Sequence, residues 1–329
     1  MNKIKTAESV SPRHPDKLCD RISDAILDAC LEQDPDSRVA IETMGGHGII
    51  TITGEITTTA YFNAREIAQR IAGTQYGVQV NIVNQSPEIA IGVDEGGAGD
   101  QGIMVGYACN DNEAMIPQEQ YLARSLCEFI YPEYQYDGKT QITLNENNEI
   151  TTIVASFQNT RGVELMSRVE EWLQEKGIED NEIKIKIHVN PAGDWDQGGF
   201  EADTGVTGRK LIVDNYGPQV PIGGGAFSGK DPSKVDRSGA YMARKIAKDY
   251  LKEYKGKECI VKLAYAIGIA EPVMAVANVD GQEYNILGRA DGKYDLTPNG
   301  IIKSLNLKKV NYEATAMWGH FGWDFNWDK

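Results

Sequence analysis

The 329-residue sequence has no run of about 18 consecutive apolar residues, so it offers no helix able to cross a membrane. It is poor in cysteine. The five, at positions 19, 30, 109, 127 and 259, are odd in number and lack any C-x-x-C spacing, which argues against a disulfide framework and a structural zinc site and for reduced thiols. Positive charge is in deficit: 33 Lys and Arg face 48 Asp and Glu, a net charge of −15. Such a surface repels nucleic acid and anionic membranes, so neither is expected as a partner. No fixed-period repeat, low-complexity tract or linker-like stretch is visible, so any internal symmetry would be structural only. The first residues lead to no apolar core of a secretory signal, so a cytoplasmic location is expected.

What is present is ordinary globular material, 41% hydrophobic and 25% charged, in a chain long enough for two or three domains of roughly 100–200 residues. Leu18, Ile22, Ala25, Ile26 and Ala29 form one stripe, predicting a helix over 15–33 that stops at Asp34-Pro35. Two β-rich runs, 38–44 and 48–58, read as a hairpin. Further helices are predicted over 61–72, 118–131, 163–175, 232–250 and 297–305. Strands are predicted over 78–83, 140–144, 150–157, 183–189 and 211–214, with β-rich runs in 259–277. Three stretches, 86–106, 190–208 and 223–229, are rich in glycine and acid and poor in periodicity, and read as functional loops. Strands followed by a helix, about three times over, predict an α+β fold.

The loops carry the chemistry. Gly223-Gly224-Gly225-Ala226-Phe227-Ser228-Gly229-Lys230-Asp231 lets backbone N–H groups crowd an anion. From Gly224 it nearly fits a P-loop, but Asp231 stands where that motif needs a hydroxyl. Alone it reads equally as a Gly-rich turn; Lys230, Lys234 and Arg237 favour a polyanion. His14-Pro15-Asp16-Lys17 puts an imidazole, a carboxylate and an ammonium into one first helical turn, though Asp there is also simply a good helix start. Gly97-Ala98-Gly99-Asp100-Gln101-Gly102 suits a backbone pressed against a ligand, or a plain turn. Asp203-Thr204-Gly205-Val206-Thr207-Gly208-Arg209-Lys210 and Asp137-Gly138-Lys139 add acids and cations. Together they describe a Mg²⁺–polyphosphate site: Mg²⁺ takes a few carboxylates plus phosphate oxygens and water, while Lys and Arg take the remaining charge. Such a local cluster reconciles an acidic exterior with an anionic substrate.

These stretches, with Glu8-Ser9-Val10, Gly54-Glu55-Ile56-Thr57-Thr58, Gln85-Ser86-Pro87, residues 265–272 and Gly319-His320-Phe321-Gly322, make the chain resemble the S-adenosylmethionine synthetases almost end to end. The resemblance implies three similar α+β domains in a pseudo-threefold arrangement, sheets with helices on one face. The domains are expected over 1–88, 97–198 and 199–329, with their segments interleaved in space. It implies that methionine sulfur attacks C5′ of ATP and expels triphosphate, which is then cleaved to pyrophosphate and phosphate. The implied catalytic residues are His14, Lys139, Arg209 and Lys230. ATP would be bound by these and by Asp137, Asp194, Trp195, Asp203, Lys210 and Ala226. Methionine would be bound by Glu55, Gln85, Asp100, Asp203 and Lys234. Asp16 and Asp236 would hold two Mg²⁺ ions per site, and Glu42 K⁺. The implied assembly is a homodimer at least, a homotetramer being usual, with sites at the subunit interface and Asp100 reaching across it.

The chain departs from the pattern in places. Asp194-Trp195 replaces the usual Arg-Phe, which reverses a charge but keeps an aromatic ring to stack on adenine. Ile222 replaces a common His, and the stretches between Gln85 and Gly97, around 73–78 and around 128–136 are short. Other readings of the residues are a phosphotransferase making ADP, a non-catalytic relative, and a relative that kept only triphosphate hydrolysis.

Overall fold

The computed structural model describes residues 4–85, 96–178, 184–287 and 292–329. Three four-stranded sheets form its frame, each with helices on one face. The first sheet runs β1 (Lys5–Val10), β6 (Gly138–Leu144), β7 (Ile150–Phe157), β8 (Lys186–Val189). The second runs β4 (Gly77–Val83), β3 (Ile49–Thr57), β2 (Arg38–Gly46), β9 (Gly205–Val206). The third runs β12 (Gln282–Asn285), β11 (Met274–Val279), β10 (Glu258–Tyr265), β5 (Gly102–Cys109). Each sheet takes one strand from a distant part of the chain: β1, β9 and β5 respectively. Among the described residues, only β3–β4 and β7–β8 pair in parallel. Each of those pairs is joined by a helix, α2 (Ala64–Ala72) and α4 (Gly162–Glu175), as a parallel pairing requires.

The apolar stripe of α1 (Pro15–Leu31) packs under β2, where Val39 and Ile41 alternate inward and Glu42 and Met44 outward. Pro15 at the first position and the His14 side chain as cap fix where α1 begins. α3 (Gln118–Ile130) and α4 cover the first sheet and close one core around Ile142, Ile153 and Trp172. α6 (Val235–Tyr254) covers the third sheet, and α1 and α6 share the larger core. All five cysteines are free and buried, Cys127 in the smaller core and the other four in the larger.

The structure alters several expectations. Leu211–Asp214 is not a strand but a single helical turn, α5, closed by the Asp214 N–H donating to the Lys210 carbonyl. The helix expected from 61 begins at Ala64, where Asn63 accepts N–H bonds as its cap, and Tyr61 lies exposed before it. The helix expected from 232 begins at Val235 and runs on to Tyr254. Gly102, placed by sequence within a loop, opens the buried strand β5. Strands β1, β9 and β12 and the tail helix α8 (Tyr312–Trp318) were not anticipated, whereas the short helix near 297–305 is present as α7 (Pro298–Ser304). Most of the loop read over 86–106, including Ser86 and Pro87, and the start of the strand read over 183–189, lie outside the described residues.

Candidate active site

Four aspartates of α1, at positions 16, 20, 24 and 28, recur every four residues and so share one face. Together they accept backbone N–H groups from three segments. Asp16 accepts from Val206 at 2.9 Å, Asp20 from Gly208 at 2.8 Å and Asp24 from Gly229 at 2.8 Å. Asp28 accepts from Tyr312 and Glu313, both at 2.8 Å, in the first turn of α8. The helix thus seats two of the glycine-rich loops. Asp24 is also gripped by both ends of the fully buried Arg237 guanidinium, at 2.7 and 2.8 Å. Gly205 packs against the Pro15 carbonyl and Gly225 against the Asp236 carboxylate, positions that a Cβ would fill.

His14 sits at the head of this row, 2% exposed. Its Nδ1 accepts the Asp16 N–H at 3.1 Å, so the neutral ring carries its proton on Nε2. Burial, then the cations of Lys210, Lys139 and Lys17, lower its pKa to about 3, against a smaller opposing pull from Asp16. The ring is therefore neutral at physiological pH. Asp16 is almost fully buried. Burial alone would raise its carboxyl, but Lys210 at 2.6 Å and the Val206 N–H outweigh it and hold it below the usual range. Arg209 approaches Asp16 at 3.4 Å. Asp137 accepts the Gly199 N–H at 3.0 Å; burial raises its pKa, while that bond and the charge of Lys139 oppose the rise.

A second group lies along the same loops. Lys230 pairs with Asp236 at 2.5 Å, and Lys234 with Asp231 at 2.5 Å. Gly208 packs against Ala226, which links the two groups. Glu42 and Glu55 lie on the outward face of the second sheet; burial raises the Glu42 carboxyl, Lys230 opposes it, and Glu55 adds a smaller upward push. Asp231 also accepts from the Val39 and Ser233 N–H groups. The Gly223–Asp231 segment therefore borders β2 as an edge, and a turn of helix, not a strand, precedes it. A P-loop is excluded.

Other expected site residues make no side-chain bond to Asp16 or Asp236 among the described residues, although the charge of Asp203 acts on Asp137. The Asp194 carboxylate accepts the Gly162 N–H at 2.9 Å and the Asn190 amide at 3.2 Å, serving the first turn of α4. Trp195 donates to Asn190 and rests on Gly198. Asp203 and Asp100 are exposed, each accepting only the N–H of its following residue among the described residues. Gln85 ends the described part of its segment. Sequence reading missed Asp20 and Asp24, and it noted Lys17 in the His14–Lys17 turn without its bond to Asp214 at 2.6 Å. The four-residue spacing of the α1 aspartates was the available signal. Gly319-His320-Phe321-Gly322 supports the site from behind: His320 packs on Phe227 and shares a hydrogen bond with the Tyr241 hydroxyl.

Among the described residues no three His, Cys, Asp or Glu side chains cluster as a ready metal cage. Asp16 and Asp236 instead offer one carboxylate each beside lysines and arginine. That donor set fits Mg²⁺ bound jointly with substrate phosphates, since Mg²⁺ commonly keeps one or two carboxylates and fills its shell with phosphate and water.

Comparison with known proteins adds the following. Models of the S-adenosylmethionine synthetase N-terminal, central and C-terminal domains match residues 2–92, 95–195 and 197–329. The S-adenosylmethionine synthase of Treponema denticola is 42% identical over 371 residues, covering 98% of this chain and 95% of that protein. That of Sulfurovum sp. is 41% identical, covering 99% and 95%. The matched length with the first exceeds this chain's 329 residues, so the relative carries residues this chain lacks. An unusual S-adenosylmethionine synthetase from Campylobacter jejuni superposes with a TM-score of 0.88 at 32% identity, covering 99% of this chain and 97% of that one.

Proposed function

Because the chain belongs to the S-adenosylmethionine synthetase family, we propose that it is a methionine adenosyltransferase whose site forms around His14, Asp16 and the cations beside them. Methionine sulfur attacks C5′ of ATP. The S–C5′ bond forms as the C5′–O bond breaks, and triphosphate leaves with the electron pair. Negative charge grows on the bridging oxygen, so the catalytic need is a donor prepared for it. His14 is suited to that role: its Nδ1 is occupied, it is neutral, and Nε2 keeps its proton. Lys139, Arg209, Lys210 and Lys230 would take the phosphate charge. Lys210 and Lys230 pair with Asp16 and Asp236, and these two carboxylates would hold two Mg²⁺ ions together with the substrate phosphates. Bound Mg²⁺ would supply further neutralisation of triphosphate charge.

Trp195 offers its ring to adenine, while Asp137, Asp194, Asp203 and Ala226 border the nucleotide. Glu55, Gln85, Asp203 and Lys234 are assigned to methionine and Glu42 to K⁺. Asp100 is exposed and would reach the methionine ammonium of a second copy, which makes the working unit a homodimer at least. We place the three domains near 1–88, 97–198 and 199–329, and assign hydrolysis of the retained triphosphate to the same cationic cluster. The neutral, capped His14 within this cluster carries the reading.

The test is mass spectrometry of products from purified protein with ATP, methionine, Mg²⁺ and K⁺. S-adenosylmethionine, pyrophosphate and phosphate in equal amounts are expected. ADP, or phosphate release that ignores methionine, would overturn the assignment.

A further inference from the structure

Among the described residues, three arginines are nearly or fully buried: Arg124, Arg237 and Arg244. Two have a carboxylate partner, Arg237 in Asp24 at 2.7 Å and Arg244 in Asp328 at 2.7 Å. Arg124, 4% exposed on α3, has no carboxylate at ion-pair distance among the described residues, although the charge of Glu128 acts on it. Its Nη1 donates to the Phe321 carbonyl at 2.6 Å, while Nε and Nη2 find no partner among the described residues. Nε and Nη2 form one edge of the guanidinium, the fork that matches a carboxylate or phosphate with two parallel bonds. Leaving such donors buried and unmet is costly, so their position needs an explanation.

That side chain lines a crevice of about 540 Å³ between α3, the end of α4, α6 and the tail. The volume lies within the range of about 300–1,000 Å³ usual for small-molecule sites. Trp323 lies against Arg124, its centroid 5.2 Å from the guanidinium carbon, and its indole N–H is likewise buried without a partner. Lys176 stands at the rim and Lys248 on the wall. Acids line the crevice too, but Asp328 is engaged by Arg244, Lys248 and the Gly322 N–H, and Glu113 by the Tyr121 hydroxyl. Glu128, one helical turn from Arg124, forms no ion pair with it. None of the residues placed in the active site lines this space.

We propose that the crevice is a second ligand site for a small organic anion. A carboxylate or phosphate group sits on the Nε–Nη2 edge of Arg124, and Trp323 Nε1 donates to another ligand oxygen. The built features are a cation with one edge held by protein and the other buried and unpaired among the described residues, an indole N–H beside it, and two lysines lining the crevice.

The test uses the full-length protein labelled with 5-fluorotryptophan. Its five tryptophans give separate ¹⁹F signals, and Trp323→Phe identifies that of Trp323. Inorganic phosphate and malonate are titrated separately at constant ionic strength. The Trp323 signal should shift saturably with at least one probe, independently of the Trp195 signal; the tighter probe names the headgroup. Arg124→Gln should weaken this binding by at least about tenfold while leaving the Trp195 response unchanged. Lys176→Glu, at an exposed position where folding is not at risk, should weaken it by about threefold. A Trp323 signal unmoved by either probe would show that the donors bind water only, and the proposal falls. Equal affinity in Lys176→Glu, or in a folded Arg124→Gln, would overturn it as well.

Discussion

At the scale of single residues, the chemistry depends on how His14 is held. Replacing it with Asn keeps a side chain that can cap α1. We expect His14→Asn to fold with unchanged melting behaviour and to lose adenosyl transfer by a factor on the order of 10²–10³. Activity close to that of the unaltered protein would remove His14 from the mechanism. Its pKa falls from 6.5 to about 3, so between those values the folded chain binds fewer protons than the unfolded one. The stability His14 contributes is therefore complete above the unfolded value and is lost as pH drops toward 3. In NMR spectra its ring signals should stay fixed between about pH 5 and pH 8; a midpoint near 6.5 would contradict the burial argument. Asp194 satisfies an N–H in the first turn of α4. Asp194→Ala should lower stability by about 1 kcal/mol in denaturant titrations with little change in turnover. A much larger loss of turnover would show that its place beside the nucleotide, not its bond to α4, is its main role.

At the scale of elements, α1 is more than a core helix. The Asp24–Arg237 pair lies fully buried on it, and Arg237 also stacks on Tyr312 at 4.2 Å. Removing one partner strands the other charge, which typically destabilises by about 3–5 kcal/mol. Asp24→Asn should show that loss in urea unfolding, and a change below about 1 kcal/mol would mean that Arg237 has another counter-charge. Sequence reading found α1 because Leu18, Ile22 and Ala25 recur at helical spacing, and found β2 and β3 because glycines separate two β-rich runs. It could not find β1, since Lys5–Val10 becomes a strand only by pairing with β6, over 130 residues away. Leu211–Asp214 failed for the opposite reason: four apolar-rich residues suit either state, and the Lys210 carbonyl decides for a helical turn. The residue types around His14 were legible as motifs. Which ammonium meets which carboxylate was not, because Lys210 and Asp16 lie 194 positions apart.

At the scale of the whole molecule, three sheets turn their helical faces inward and leave outer faces open. The outer face of the second sheet carries Glu42, Glu55 and the exposed apolar residues Met44, Ile49 and Val83. A second copy resting there would cover them and close the site around Asp100. Sedimentation equilibrium should find dimers or larger. Met44→Glu should shift the population toward monomer and lower activity in parallel; a fully active monomer would show that one chain suffices.

The placement of the five thiols makes the protein its own reporter of opening. A thiol reagent can modify Cys127 only when the smaller core parts, and the other four only when the larger one does. Equal labelling rates would mean that the two cores breathe as a single cooperative body. A faster Cys127 would mean that the sheet built on β1 can loosen while α1 keeps its grip on the loops.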